Sequence, residues 1–536
     1  MSQKYDLIVV GGGVAGLYSI YKYLLSIDKI NKNKISGKEK IIPKILLLES
    51  SDRLGGRLHT IKNKNQVYEA GGARFSENHK LLFELIRTFK LEKQLYPLTA
   101  KKVHISKNNP GVETPINNQL DKVLLEIDKI IKNNSTKYTS QYLLSKTFYE
   151  IMNEISPKLA DEFVKYYPYY SEVYVMNAKD ALVSLKRDFT SKTLYYILNG
   201  GLEIIIKKLY ETTKKFDCTL KVMLKTPLTD IKSIYNSGSI QYEVESENKH
   251  FIGDKLVLAI TSQALLSIPF IKEQKFRSLL KLVTPQPLFR IYAKYKKPWL
   301  SNHIVTDSNL NYIIPYNNEG LIMISYTDGP KTKFWYKHYL ESKEKLIEML
   351  HKHVKELIHG VEIPELEWID ACPHWTNGSH YWKPRKTHLD SDLLEDKIRH
   401  PLRNMWIVGE AFSQYQAWVE GSLDTSNKAI TELIDEIEIS SNWKKMDEHN
   451  GGGGSNSKKN DEFTMDEVSK HNKKSDAWIV IHGNVYNITK WIPDHPGGMI
   501  IMTGVGKDAS RLFDQVGHDS YAKNKLKSFK IGVLKH

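Results

Sequence analysis

At 536 residues, 41% hydrophobic and 26% charged, the chain is too long for one ordinary core, and its composition excludes collagenous and wholly disordered classes. No run of about 18 apolar residues marks a membrane span. The opening MSQKYDLIVVGGG has no signal-peptide layout, and two cysteines, Cys218 and Cys372, cannot build a disulfide framework, so a reducing, cytoplasmic setting is expected. The net charge of +15 comes from 77 basic residues, of which 11 are arginine; without a tight Lys/Arg block it describes a dispersed basic surface and argues against a nucleic-acid partner. The scarcity of arginine makes Arg53, Arg57, Arg74 and Arg290 stand out, because this composition would otherwise supply lysine.

In chain order, Tyr5-Asp-Leu-Ile-Val-Val10 predicts a buried strand, and Leu17, Ile20, Tyr21, Leu24 and Leu25 predict a helix after it. A second buried strand, Lys44-Ile-Leu-Leu-Leu-Glu49, follows a polar stretch at 28–40 that reads as an insertion. Helical spacing dominates 115–187, and strands return near 220–224, 255–261, 289–295 and 311–326. The alternation predicts a doubly wound α/β domain with an interleaved second domain. Residues 444–460, KKMDEHNGGGGSNSKKN, read as a flexible linker. The expected domains are therefore 1–440 and 461–536, joined by a Gly-rich tether at 441–460.

Between the first strand and helix, Gly11, Gly13 and Gly16 have the G-x-G-x-x-G spacing. The first makes a tight turn, the second lets a pyrophosphate approach the backbone, and the third lets helix and strand pack closely; free N–H groups at the helix start then favour the anion. Glu49, ending the second strand, is placed to accept hydrogen bonds from ribose hydroxyls. Glu49-Ser-Ser-Asp-Arg53-Leu-Gly55-Gly56-Arg57 adds two glycines for close backbone approach and two arginines for fixed positive charge beside a diphosphate.

With these motifs, residues 5–436 resemble the FAD-dependent amine oxidase superfamily of monoamine, polyamine and L-amino-acid oxidases. The resemblance implies a Rossmann-type FAD-binding domain interleaved with a substrate domain, C–N bond oxidation by hydride transfer to flavin, and O2 as acceptor. It places Gly71-Gly72-Ala73-Arg74 under the flavin, Glu410 of Met405-Trp-Ile-Val-Gly409-Glu410 at the ribityl chain, and Val419 at the start of a helix aimed at the flavin N1–C2=O edge. Arg290 stands where the family usually has a lysine near flavin N5, with Lys294 four residues on and expected on the same strand face. Ser379 replaces the flavin-linking cysteine of monoamine oxidases, which implies non-covalent FAD. His380 and Trp418 fall at the two cage positions flanking the substrate carbon. Arg74 matches the arginine that grips the substrate carboxylate in L-amino-acid oxidases, although pairing with a protein carboxylate or the cofactor diphosphate is the alternative.

Residues 463–534 resemble a cytochrome b5 domain. Asp494-His495-Pro-Gly-Gly498 and His518, 23 residues later, supply two imidazoles for the axial positions of haem b. A small α+β domain is implied, with a redox partner protein or the flavin itself as electron source. The substrate is expected to be an amine or an L-amino acid. Three alternatives stay open: a polyamine or monoamine oxidase, a flavin-dependent desaturase, and a non-catalytic flavin-fold protein with a b5 docking module.

Overall fold

The structure, a computed structural model, describes residues 3–33, 39–116, 118–236, 239–387, 389–450, 462–492, 495, 498–510, 512–513, 525–526 and 528–535. Contacts divide it into two compact units, Met1–Ser440 and Ser441–His536.

A seven-stranded sheet organises the large unit. Its order is Thr219–Met223, Lys44–Leu48, Gln3–Val10, Lys249–Leu258, Ser239–Ser246 and Asp230–Asn236, with Met405–Ile407 also pairing Lys249–Leu258. The strands around Gln3–Val10 run parallel. A parallel sheet is covered on both faces, which explains the unbroken apolar runs. Side-chain alternation then sorts them. Leu7, Val9, Ile45 and Leu47 pack on one face with Leu17, Ile20 and Leu24 of helix Val14–Lys32, while Ile8, Val10, Leu46 and Leu48 pack on the other. Each fully buried side chain of this size contributes about 1.5–3 kcal/mol. The helix runs to Lys32, so the polar residues at 28–32, expected in an insertion, continue the helix, which spans half of the stretch between Gly16 and Glu49.

An eight-stranded sheet forms a second layer of the large unit, in the order Leu366–Ala371, Val283–Tyr295, Leu321–Asp328, Tyr312–Pro315, His303–Val305, Lys102–His104 and Thr114–Pro115, with Trp375–Trp382 also pairing Val283–Tyr295. The helices between Gln119 and Asp188 pack through Leu124, Phe148, Phe163 and Leu185 into a separate apolar cluster. That cluster also takes in Tyr312 and Tyr381 from the sheet, so helices and sheet enclose a space between them.

In the small unit a five-stranded sheet is ordered Glu462–Phe463, Lys530–Leu534, Asn484–Asn487, Asp476–Ile481 and Asn472–Lys473. Helix Met465–Lys470 begins with a capping box in which Thr464 and Glu467 satisfy each other's backbone N–H groups. The structure differs from the composition at the tether: helix Val419–Asn450 continues through 441–450, which contain no Gly or Pro to break it before Gly451. Residues 451–461, with the four glycines, lie outside the described residues. Among the described residues no helix is long and apolar enough to cross a membrane.

Candidate functional site

Two cavities meet in the large unit. The first, of about 600 Å³, is lined by Gly11, Gly13, Glu49, Arg53, Gly56, Glu410 and neighbours. The second, of about 500 Å³, is lined by Arg74, Lys102, Tyr169, Glu172, Arg290, Tyr381 and others. Arg57, Gly72, Trp418 and Val419 stand in the walls of both, at the junction.

The dinucleotide end is built from backbone. Gly11 has a φ of +108°, and a Cβ on Gly16 would fall on the Gly11 carbonyl oxygen, so neither tolerates a side chain. A Cβ on Gly13 meets nothing nearer than the Gly55 oxygen at 4.0 Å; that open side is where a diphosphate fits. Gly13 precedes helix Val14–Lys32 with no side-chain cap, which leaves the N-terminal N–H groups for an anion. Glu49 accepts from the Gly12 N–H at 2.7 Å and the Ser51 N–H at 2.8 Å, keeping lone pairs for ribose.

The two motif arginines divide their work. Arg53 stands in the wall of the first cavity. It donates to the carbonyls of Leu54 and Leu58 at 3.2 Å and of Gly56 at 2.6 Å, so it clamps its own loop. Arg57 donates to the Gly378 carbonyl at 3.1 Å and pairs with Glu410. Glu410 also meets His380, and its second oxygen accepts from the Ala417 N–H at 2.9 Å. Burial works to raise the Glu410 pKa, but Arg57 and His380 outweigh it and hold the carboxyl at about 2.

On the substrate side the structure overturns the expected place of His380. Ser379 and Tyr381 face the second cavity, and His380, between them on strand Trp375–Trp382, is fully buried against Glu410. A one-residue step along a strand reverses the face, so Ser379 and Tyr381 line the cavity and His380 does not. Trp418 does reach the junction, packed beside His79, Phe189 and Tyr195 at ring distances of 4.6, 5.8 and 6.2 Å.

Arg290 is buried in the cavity wall, where it donates to the Glu69 carbonyl at 3.2 Å and to the Gly71 carbonyl, and lies 4.5 Å from the Tyr326 ring. It therefore braces the Gly71–Gly72–Ala73 segment. Lys294 keeps the same strand face, since Phe289, Ile291, Ala293 and Tyr295 all pack on the opposite one, but it lies outside the cavity lining and pairs with Glu367 at 3.4 Å.

Arg74 donates to the Tyr169 hydroxyl at 2.9 Å and lies 5.0 Å from the Tyr195 ring. Among the described residues no carboxylate comes within ion-pair distance of it. Lys102, whose ammonium burial and Arg74 push down to about 8, lies 5.7 Å from the same ring.

Sequence reasoning missed Glu172, Tyr381 and Asp328. Glu172 is buried in the cavity on the short helix Tyr170–Tyr174, accepts from the Tyr381 hydroxyl at 3.1 Å, and has a second oxygen without a protein partner. Burial and then Asp328 push its pKa up to about 8. The only signal was one acid inside the aromatic run Tyr169-Tyr-Ser-Glu-Val-Tyr174.

In the small unit His495 is half-buried, and its backbone N–H donates at 3.5 Å to the carbonyl of Ile492, which packs in the cluster of Ile479, Ile488 and Val505. Imidazole is the donor type a haem iron takes. His518 lies outside the described residues.

Comparisons with known proteins agree with this anatomy. A family model described as flavin containing amine oxidoreductase matches residues 38–434, and one described as cytochrome b5-like heme/steroid binding domain matches 464–535. Cytochrome b5 isoform B of Arabidopsis thaliana is 46% identical over 73 residues, covering 13% of this chain and 54% of the relative. Cytochrome b5 of Rhizopus stolonifer is 47% identical over 73 residues, 13% of this chain and 56% of the relative, so the chain spans about half the length of these curated relatives. A putrescine oxidase bound to putrescine superposes with a TM-score of 0.62 at 15% identity, over 81% of this chain and 100% of that one. Cyclohexylamine oxidase from Brevibacterium oxydans gives 0.62 at 16%, over 81% and 99%. At these identities the solved structures establish the fold. FAD is the cofactor of the large unit, where the glycine cradle fits it, and haem that of the small one. The chain is a member of the flavin containing amine oxidoreductase family that also carries a cytochrome b5-like domain.

Proposed function

We propose that the protein oxidises the C–N bond of an L-amino acid, with FAD held non-covalently. The observation that carries this reading is Arg74: a guanidinium faces the second cavity near the junction, with a tyrosine hydroxyl and no protein carboxylate to occupy it among the described residues. A substrate carboxylate there gains a two-pronged, charge-assisted pair that fixes its plane and turns the α-carbon toward the junction. Lys102 reinforces the positive side of the cavity. The flavin supplies the two-electron acceptor; Gly72, Ala73, Trp418 and Val419 form the wall against which it would lie, and Arg290 stiffens that wall. Oxidation gives an imine that hydrolyses to a keto acid and ammonia, with dioxygen taking the electrons as hydrogen peroxide.

An amine without a carboxylate is the second reading, favoured by the acids Glu172 and Asp328 in the same cavity. One experiment separates the two: peroxide release and anaerobic flavin bleaching measured across a panel of L-amino acids and their decarboxylated amines. Bleaching by amines alone would contradict the amino-acid reading.

The b5 domain adds a second acceptor to the proposal. Through the glycine-rich tether, reduced flavin passes single electrons to the haem, at an effective concentration on the order of millimolar. Substrate added under argon should redden the haem in stopped-flow absorbance after the flavin bleaches. A haem that stays oxidised would remove this route.

A further inference from the structure

Hydride can leave the carbon only when the neighbouring nitrogen has a free lone pair, whereas an amine or amino acid reaches the enzyme as an ammonium. A proton must therefore go somewhere, and the arginines and Glu410 give it no destination. Arg57, Arg74 and Arg290 are permanently charged. Glu410 has both oxygens occupied by Arg57, His380 and the Ala417 N–H.

A hydrogen-bonded path begins in the cavity wall. Ser379, in that wall, donates to the Tyr381 hydroxyl at 3.1 Å, and Tyr381 donates to Glu172 at 3.1 Å. The two hydrogen bonds run along the cavity wall and end on a buried carboxyl whose other oxygen has no protein partner. We propose that Glu172 is the terminal acceptor of the proton shed by the substrate ammonium, reached through the hydroxyls of Ser379 and Tyr381. The inference rests on the amine-oxidising reading above and deepens it.

The atoms balance. One substrate N–H bond breaks and one O–H bond forms on Glu172. Ser379 and Tyr381 each pass on one proton and receive one. The freed nitrogen lone pair then allows the C–H bond to give up its electron pair with the hydrogen, as hydride, to the flavin, leaving a C=N bond.

The surroundings suit a proton store. Asp328, at the end of strand Leu321–Asp328, repels charge on Glu172, and Arg74 attracts it. Asp328 is itself fixed by the N–H groups of Tyr170 and Ser171 at 2.9 Å and by the Ser171 hydroxyl at 2.6 Å, which keeps it off the path. Tyr167, Tyr169, Tyr195, Tyr312 and Tyr381 complete the set of groups that feel Glu172, and burial moves each of them further from ionisation. The carboxyl, pushed up to about 8, accepts a proton in its ionised form, whose share grows as pH rises through 8, and returns it to solvent in the next cycle.

The test is the pH dependence of kcat/KM for the flavin-loaded full chain and for Glu172→Gln. Wild-type kcat/KM should rise as Glu172 ionises toward pH 8, and the variant should lack that rise and fall on the order of 100-fold below wild type near pH 8, typical of a positioned proton acceptor. It should recover toward wild type as pH rises through the substrate's own ammonium pKa, where the neutral amine arrives ready-made. Tyr381→Phe cuts the path while sparing Glu172, and should show the same recovery; it also serves if Glu172→Gln fails to load flavin. A second readout needs no turnover: infrared difference spectra of the resting holoenzyme should contain a carboxylic-acid C=O band that titrates near pH 8 and is absent from Glu172→Gln. A pH-independent loss, an unchanged profile, or no such band in wild type would overturn the proposal. Failure of every ammonium-bearing compound to bleach the flavin would instead remove the amine-oxidising reading beneath it.

Discussion

The two cavities of the large unit are made in opposite ways. The dinucleotide end is backbone, formed within short stretches by Gly11, Gly13, Gly16 and the 49–57 loop. The substrate end is side chain, assembled from Arg74, Lys102, Glu172, Arg290 and Tyr381 on five separated segments. A backbone site is constrained by what cannot be added; a side-chain site is constrained by what charge and hydrogen bonds remain unspent. The first is general to a cofactor, and the second chooses a substrate.

Glycine substitutions sharpen that contrast most. Gly16→Val sets a side chain against the Gly11 carbonyl and should destabilise by about 3 kcal/mol or more, read as lost Tm and lost flavin. Gly13→Ala should leave the Tm of flavin-free protein nearly unchanged while weakening FAD binding, because its Cβ projects into the cradle and not into the core. Equal effects of the two would break the account of the dinucleotide end.

At the other end, Arg74→Ala should raise KM for an amino acid by roughly ten- to a hundredfold, the value of one charge-assisted pair, and barely change KM for the decarboxylated amine. Steady-state kinetics on both compounds reads this directly.

The pH dependence of stability should also have opposite signs at the two ends. Glu410, held at about 2, contributes stability that is complete above its unfolded value of 4.5 and is lost as pH falls through about 2. Glu172, raised to about 8, keeps its proton in the native state while the unfolded chain releases it above 4.5, so its contribution falls as pH rises from 4.5 to about 8. Denaturation of Glu172→Gln and Glu410→Gln against wild type across pH should show the first gaining on wild type toward alkaline pH and the second losing most at neutral pH. The smallest effect is expected at Arg53: Arg53→Lys loses the fork across Leu54, Gly56 and Leu58 and should cost about 1–2 kcal/mol by thermal denaturation.

What the sequence revealed follows the same division. The glycine spacing, the strand Gln3–Val10 and helix Val14–Lys32 are local patterns, legible because φ, sterics and apolar periodicity act within a few residues. The Arg74 position was legible through its segment, but its lack of a carboxylate partner depends on residues nearly 100 positions away. His380 was misplaced because a strand reverses face at every residue, so an offset of one exchanges cavity for core. Lys294 keeps the face that strand alternation predicts, but four residues carry it past the cavity to Glu367, a distance that parity alone does not report. Glu172 gave almost no signal, since its importance comes from what folds around it. The tether's composition marked the four glycines but not the helix that runs up to them.

The central claim is that the large unit uses Arg74 to present an α-amino acid to its flavin. The most direct measurement is an anaerobic titration of wild type and Arg74→Ala with an L-amino acid and with the matching decarboxylated amine, following flavin absorbance. The account predicts that wild type is bleached by the amino acid at far lower concentration than Arg74→Ala, while the amine separates the two proteins little. Identical titrations of the two proteins by the amino acid would contradict it.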